Sequence, residues 1–225
     1  MKSRFISIFI VSSLVNITAA QAGTDEAAER DNQGVELLKL GKIDEAIGPL
    51  LKAVELNPKD PDARLNLAYA YERQGRTDEA ISQYQKAVEL NSGNSIAHNN
   101  LGVLYDRKGL YEEAIREFET ALQIDPKSTT GSENLATAKK NQAIIQEREK
   151  QIAKAIKDVE AHPDSATASY KLARLYAYYG NNDQAIDWLN KAFKLGFNDF
   201  GYLKVDAALE SLRDDPNYIW LLRGR

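Results

Sequence analysis

GKIDEAIGPLLKAVELNP, from Gly41 to Pro58, returns as GRTDEAISQYQKAVELNS from Gly75 to Ser92 and as GLYEEAIREFETALQIDP from Gly109 to Pro126. Each copy starts 34 residues after the one before it. A fixed interval of that size marks one small unit used repeatedly. Such a unit cannot hide its apolar side alone and must stack on its neighbours.

Other positions keep the same interval. A small residue follows an acidic pair at Ala46, Ala80 and Ala114. Bulky residues recur at Leu50, Tyr84 and Phe118, and alanine at Ala53, Ala87 and Ala121. Upstream, Gly34, Ala68 and Gly102 form a second small column, followed by Leu37, Tyr71 and Tyr105. The spacing predicts two amphipathic helices per unit, for example over 62–73 and 78–90. Gly41, Gly75 and Gly109 are placed to close the first helix in the left-handed conformation. Asp44, Thr77, Asp78 and their counterparts are expected to cap the second.

These residues resemble the tetratricopeptide repeat family. Its pattern of a bulky residue, L-G, Y, then A, F, A and P is met at nearly every column across 27–126. The resemblance implies an all-α, right-handed α-solenoid of helix-turn-helix repeats, with the first helix of each unit lining a concave surface. Two departures stand out. Pro49 lies about one turn into its helix, and Arg64 and His98 occupy the column where the family often has tryptophan. Some members grip the C-terminal carboxylate of a chaperone with lysine, asparagine and arginine. The matching positions here hold Asp31, Val35, Asn66, Ile96 and Asn100. Only one of these agrees, which argues against that partner.

Beyond Pro126 the period slips. Asn134-Leu135-Ala136 continues the first-helix pattern, but Arg148 stands where the second-helix alanine is due. Residues 127–163 are a degenerate fourth repeat or one long charged helix. Ile145, Ile152 and Val159 recur every seven residues, but the seam between them is polar, so a coiled coil is a weaker reading. A fifth repeat over 164–196 carries Leu172, Ala173, Tyr176, Gly180, Ala185, Leu189 and Ala192 in the repeat columns. Residues 197–225, rich in Phe, Leu, Tyr and Trp, are expected to cap the last repeat's apolar face.

At the other end, Lys2 and Arg4 precede an apolar run and the small-residue stretch TAAQAG. Residues 1–22 therefore read as a secretory signal peptide, and the chain as exported, periplasmic in a two-membrane bacterium or otherwise secreted. Without that segment, 27 basic residues stand against 33 acidic ones, an unsuitable balance for nucleic acid or anionic lipid. No membrane insertion is expected after cleavage. The chain has no cysteine, so packing alone must hold it.

No phosphate-binding glycine loop, nucleophile elbow or zinc-ligand spacing is present, and the two histidines fall in different units. The expectation is a non-enzyme without cofactor or metal. The candidate binding residues lie on the first helices. Asparagine recurs at Asn32, Asn66, Asn100 and Asn134, offering amides that suit an extended peptide backbone or that tie adjacent units together. Beside that column run three stripes: Leu65, Tyr69 and Arg73; Asn99, Val103 and Arg107; and Tyr170, Arg174 and Tyr178. Tyrosine and arginine are enriched where binding energy concentrates. The third stripe is equally suited to packing under the tail. The function expected is a scaffold of the cell envelope that binds a peptide or helix of a partner protein. The chain is expected to be a monomer or a weak homodimer. Alternatives are a self-associating structural protein and an accessory subunit of an envelope enzyme or transport complex.

Overall fold

The computed structural model describes residues 23–223, so the leader-like segment lies outside them. Helix α1 covers residues 23–39. Beyond it run α2 (Ile43–Leu56), α3 (Pro61–Arg73), α4 (Thr77–Leu90), α5 (Ser95–Arg107), α6 (Tyr111–Ile124) and α7 (Thr129–Ala161). Then come α8 (Ala166–Tyr178), α9 (Asn182–Lys194), α10 (Phe200–Leu203), a 3-10 turn (Ala207–Leu212) and α11 (Pro216–Arg223). No strand occurs among the described residues. The chain forms two compact units, the first ending at Lys140 and the second beginning at Asn141.

In the first unit the repeated columns pack on one another. Leu50, Tyr84 and Phe118 are fully buried. A Cβ added to Gly34 would collide with the Leu50 side chain, and one added to Gly102 would lie 2.7 Å from the Phe118 ring. The small column therefore exists so that the bulky column can close over it. Pro49 does not break α2, which runs on to Leu56.

Each hairpin turns on a glycine with positive φ: 73° at Gly41, 82° at Gly75 and 74° at Gly109. The next residue's N–H then reaches back into the finished helix. Lys42 donates to the Leu37 carbonyl, Arg76 to Tyr71 and Leu110 to Tyr105, each at 2.9 Å. Those three residues are also the N-caps of α2, α4 and α6, and no side chain caps these helices. The expected caps from Asp44, Thr77 and Asp78 are thus corrected: in so tight a turn the N-cap position falls on the residue after the glycine. Asp44 and Asp78 instead accept from Gln74 at 2.8 Å and Lys108 at 2.6 Å in the following repeat. Side-chain capping belongs to the first helices. Asp60 accepts from Asp62 and Ala63, Asn94 from Ala97 and Ser128 from Gly131, again a column of period 34.

Within 127–163, residues Thr129–Ala161 form one continuous helix, α7. Ala143 stands where the turn glycine should recur, and no glycine or proline interrupts residues 132–162. With nothing to terminate it, the helix continues. Ala138 of its first part packs with Ala114 and Phe118 in the first unit. Ile152, Ala155, Ile156 and Val159 of its later part pack into the core of the second unit. Ile152 and Val159 of the seven-residue seam thus serve this chain's own core.

In the second unit, α8 and α9 form a further hairpin on Gly180, and the tail folds over it. Phe197, Phe200, Leu203, Leu209, Leu212, Tyr218 and Leu221 join the core of α8 and α9.

Candidate protein-interaction face

In the first unit α1, α3, α5 and the start of α7 carry the candidate residues. Asn32 is exposed, and Asn66, Asn100 and Asn134 are half-buried. The Asn66 side-chain N–H group donates to both oxygens of Asp31, at 3.0 and 3.1 Å, one repeat earlier. Asn134 makes the corresponding step to Asn99 Oδ1 at 3.0 Å. Asn100 donates to the Tyr84 hydroxyl at 3.3 Å. These three amides therefore link neighbouring helices. Burial pushes the Asp31 carboxyl up, the Asn66 bond opposes that shift, and the nearby charges of Asp60 and Asp62 add to it.

The Tyr84 hydroxyl donates in turn to Glu72 at 3.1 Å, and Glu72 accepts from Arg107 at 3.1 Å. Burial, then the charge of Glu72, pushes the Tyr84 hydroxyl well up, so it remains a neutral donor. Of the second stripe, Asn99 and Val103 are half-buried and Arg107 is held across the repeat boundary. Of the first, Leu65 is half-buried against the core, while Tyr69 is 37% exposed. Arg73 donates to the Tyr69 hydroxyl at 2.8 Å, with its guanidinium carbon 5.7 Å from the ring centre. Tyr69 and Arg73 thus present a preordered aromatic–cation pair to solvent.

The third stripe behaves differently. Tyr170 is 5% exposed, stacks on Phe197 at 4.2 Å between ring centres, and donates to Asp206 at 2.5 Å. Arg174 pairs with the same carboxylate, with Nε 2.6 Å from Oδ2 and Nη2 donating to Oδ1 at 3.2 Å. Tyr170 and Arg174 are therefore corrected as partner-binding residues, because the tail has taken their contacts. Only Tyr178, 69% exposed, stays open. Burial pushes the Asp206 carboxyl up, but hydrogen bonds from Tyr170, the Ala208 N–H and Arg174 outweigh it and hold the group below its ordinary range.

Sequence reasoning missed Asp206, whose one local cue is its place as N-cap of the 3-10 turn. It placed Arg64 and His98 in the tryptophan column without the contacts they make there. Arg64 donates to the Pro58 carbonyl at 2.6 and 2.9 Å and to Gln83 at 3.1 Å. His98, 34 residues on, contacts the Ser92 carbonyl at 3.2 Å and Glu117 at 2.7 Å. Each contacted residue is also displaced by 34, so a polar latch fills the column. His98 is consumed structurally, and no group of three metal-ligating side chains exists among the described residues.

Three models of the tetratricopeptide repeat match residues 32–95, 95–128 and 166–197. The chain carries tetratricopeptide repeats. Its fold is an all-α tetratricopeptide solenoid, like those of similar solved structures. One is the first such domain of Spaghetti (RPAP3) bound to the HSP90 peptide SRMEEVD. It is 28% identical, with TM-score 0.52 over 53% of this chain and 95% of that one. The first domain of human RPAP3 is 27% identical, with TM-score 0.52 over 55% and 98%. YrrB, a tetratricopeptide protein with an unusual peptide-binding site, is 19% identical, with TM-score 0.51 over 80% and 91%, and is similar in fold alone. No curated protein sequence matches the chain.

Proposed function

We propose that this protein is a non-catalytic interaction scaffold whose first unit takes an extended or helical segment of a partner protein on the faces of α1, α3 and α5. The observation that carries this reading is the open Tyr69–Arg73 pair beside a ladder of prearranged polar groups. Because the repeats hold these side chains in place, a partner meets a face that loses little entropy on binding. The peptide complex of the Spaghetti domain supports the peptide-binding class.

The chemistry of the segment can be narrowed. A carboxylate at the Asp31 end would meet Asp31, Asp60 and Asp62, whose charges already oppose one another. The carboxylate-gripping mode is therefore disfavoured there. Further along, Tyr69 and Arg73 sit in the same repeat columns as Arg174 and Tyr178, next to the Leu65–Tyr170 column. In the second unit that face has a ligand from its own chain: an aromatic ring on Tyr170 and a carboxylate on Arg174. We infer that an acidic residue beside an apolar or aromatic one is what the Tyr69–Arg73 pair accepts.

The leader-like residues 1–22 support export to the cell envelope or beyond as part of the same proposal. A random linear-peptide library displayed against the full chain tests the reading. Selected sequences should pair an acidic with an apolar residue, and Tyr69→Ala/Arg73→Ala should weaken them at least about tenfold at unchanged melting temperature. Failure to select any sequence, or equal binding by the variant, would sink it.

A further inference from the structure

The fourth repeat is present in the sequence but not folded as a hairpin. Its first-helix small residue, Ala136, continues Gly34, Ala68 and Gly102 at the 34-residue interval. Its bulky and small second-helix residues, Ile152 and Ala155, continue Leu50, Tyr84, Phe118 and Ala53, Ala87, Ala121 at the same interval. In the earlier repeats the small residue pairs with the bulky one sixteen positions later: Gly34 lies under Leu50 and Gly102 under Phe118, and Ala68 shares a core cluster with Tyr84. Ala136 and Ile152 are on one unbroken helix, where residues so far apart cannot touch.

The consequence is visible on both sides. Ala136 is exposed, whereas Gly34, Ala68 and Gly102 are buried. In the second unit, a groove of about 490 Å³ lies between α7 and α8, lined by Gln151, Lys154, Ala155, Asp158, Lys171 and Leu175. In a folded fourth repeat the first helix would lie along this side of α8. The charges agree as well. The Asn66-to-Asp31 and Asn134-to-Asn99 contacts join one column to the preceding column a repeat earlier. By that rule Lys171 awaits residue 133, which is Glu133, and both are exposed.

We propose that this groove receives residues 129–142 of a second copy of the chain, reciprocally, in an exchanged dimer. Ala136 of one copy then lies under Ile152 of the other, and Glu133 faces Lys171. The two α7 helices run antiparallel, meeting near Ile144, midway between 136 and 152 and 54% exposed. An opened hairpin that pairs with its twin is a low-cost route to a dimer, since each contact already belongs to the repeat's own packing.

The absence of cysteine makes the test specific. Full-length chains carrying only Ala136→Cys or only Ile152→Cys are oxidised alone and as a mixture, after circular dichroism has verified that each folds. A covalent dimer formed in the mixture and not in either chain alone is the expected result. No mixed dimer overturns the proposal. So does an intramolecular bond in the double variant without any dimer, which would mean that the helix closes on itself. As a second readout, Glu133→Lys, an exposed change, should abolish the dimer in sedimentation, and adding Lys171→Glu should restore it; a dimer indifferent to both contradicts the assignment. None of these outcomes bears on peptide selection at Tyr69 and Arg73.

Discussion

The two units use one repeat to opposite ends. In the first, the face of α3 stays open: Tyr69 and Arg73 contact each other and solvent. In the second, the equivalent face of α8 is plugged by Phe197 and Asp206. The first core is built of small and bulky residues alternating between helices, and the second relies on aromatic and leucine side chains from outside the repeat. The difference teaches that a repeat surface is a binding surface by default. Whether it serves a partner or the chain itself depends on whether the next segment of chain carries the groups to fill it, as residues 197–206 do.

The largest effect that separates the units comes from the bulky column. Phe118→Ala removes a fully buried ring from over Gly102 and should cost the first unit about 3–5 kcal/mol. Proteolysis coupled to mass spectrometry should then show the first unit cleaved well before the second.

Next in size is Asp206→Ala, which leaves the buried Tyr170 hydroxyl and one edge of Arg174 unpaired. The expected loss is about 2 kcal/mol, moderated because Arg174 is partly in water. It should appear as a lower melting transition of the second unit in calorimetry. The same carboxylate gives that unit a pH dependence. Its folded pKa is depressed, so its stabilisation is complete above the ordinary carboxylate range near pH ~4 and is lost as pH falls through the lower folded value. Tyrosine near-ultraviolet dichroism should report loosening of the tail in acid, and Asp206→Asn should remove that acid-dependent step.

A smaller effect should come from the caps. Asp60→Ala removes an acceptor for two backbone N–H groups at the start of α3 and should cost about 1 kcal/mol. Thr77→Ala, at a helix whose cap makes no side-chain bond, should be nearly neutral. Paired denaturant melts compare the two directly.

Much of the first unit was legible because a repeat states each contact three times. The turn glycines, the small column and the bulky column all stood at the interval, and their physical roles came from size and φ. The capping column Asp60, Asn94 and Ser128 is equally periodic but lies at the first helices, whereas the acidic pairs stand at the second. The unbroken run of α7 rested on a single missing glycine at Ala143, a local absence whose outcome depends on what each half packs against. Asp206 was not legible. It belongs to no column, and its value comes from Tyr170 and Arg174, which approach it only after the tail has folded. For the asparagines, sequence showed the column but not whether the amides point at a guest or at one another, because their spacing is the same in both cases.

Hydroxyl-radical footprinting of the full chain, read tyrosine by tyrosine, tests the contrast between the units most directly. Tyr69 should be oxidised readily and Tyr170 protected, with Tyr170 becoming reactive in Asp206→Ala and a selected acidic peptide shielding Tyr69. Oxidation of Tyr170 at the rate of Tyr69 in the unaltered chain would contradict the claim that one face is open and the other already filled.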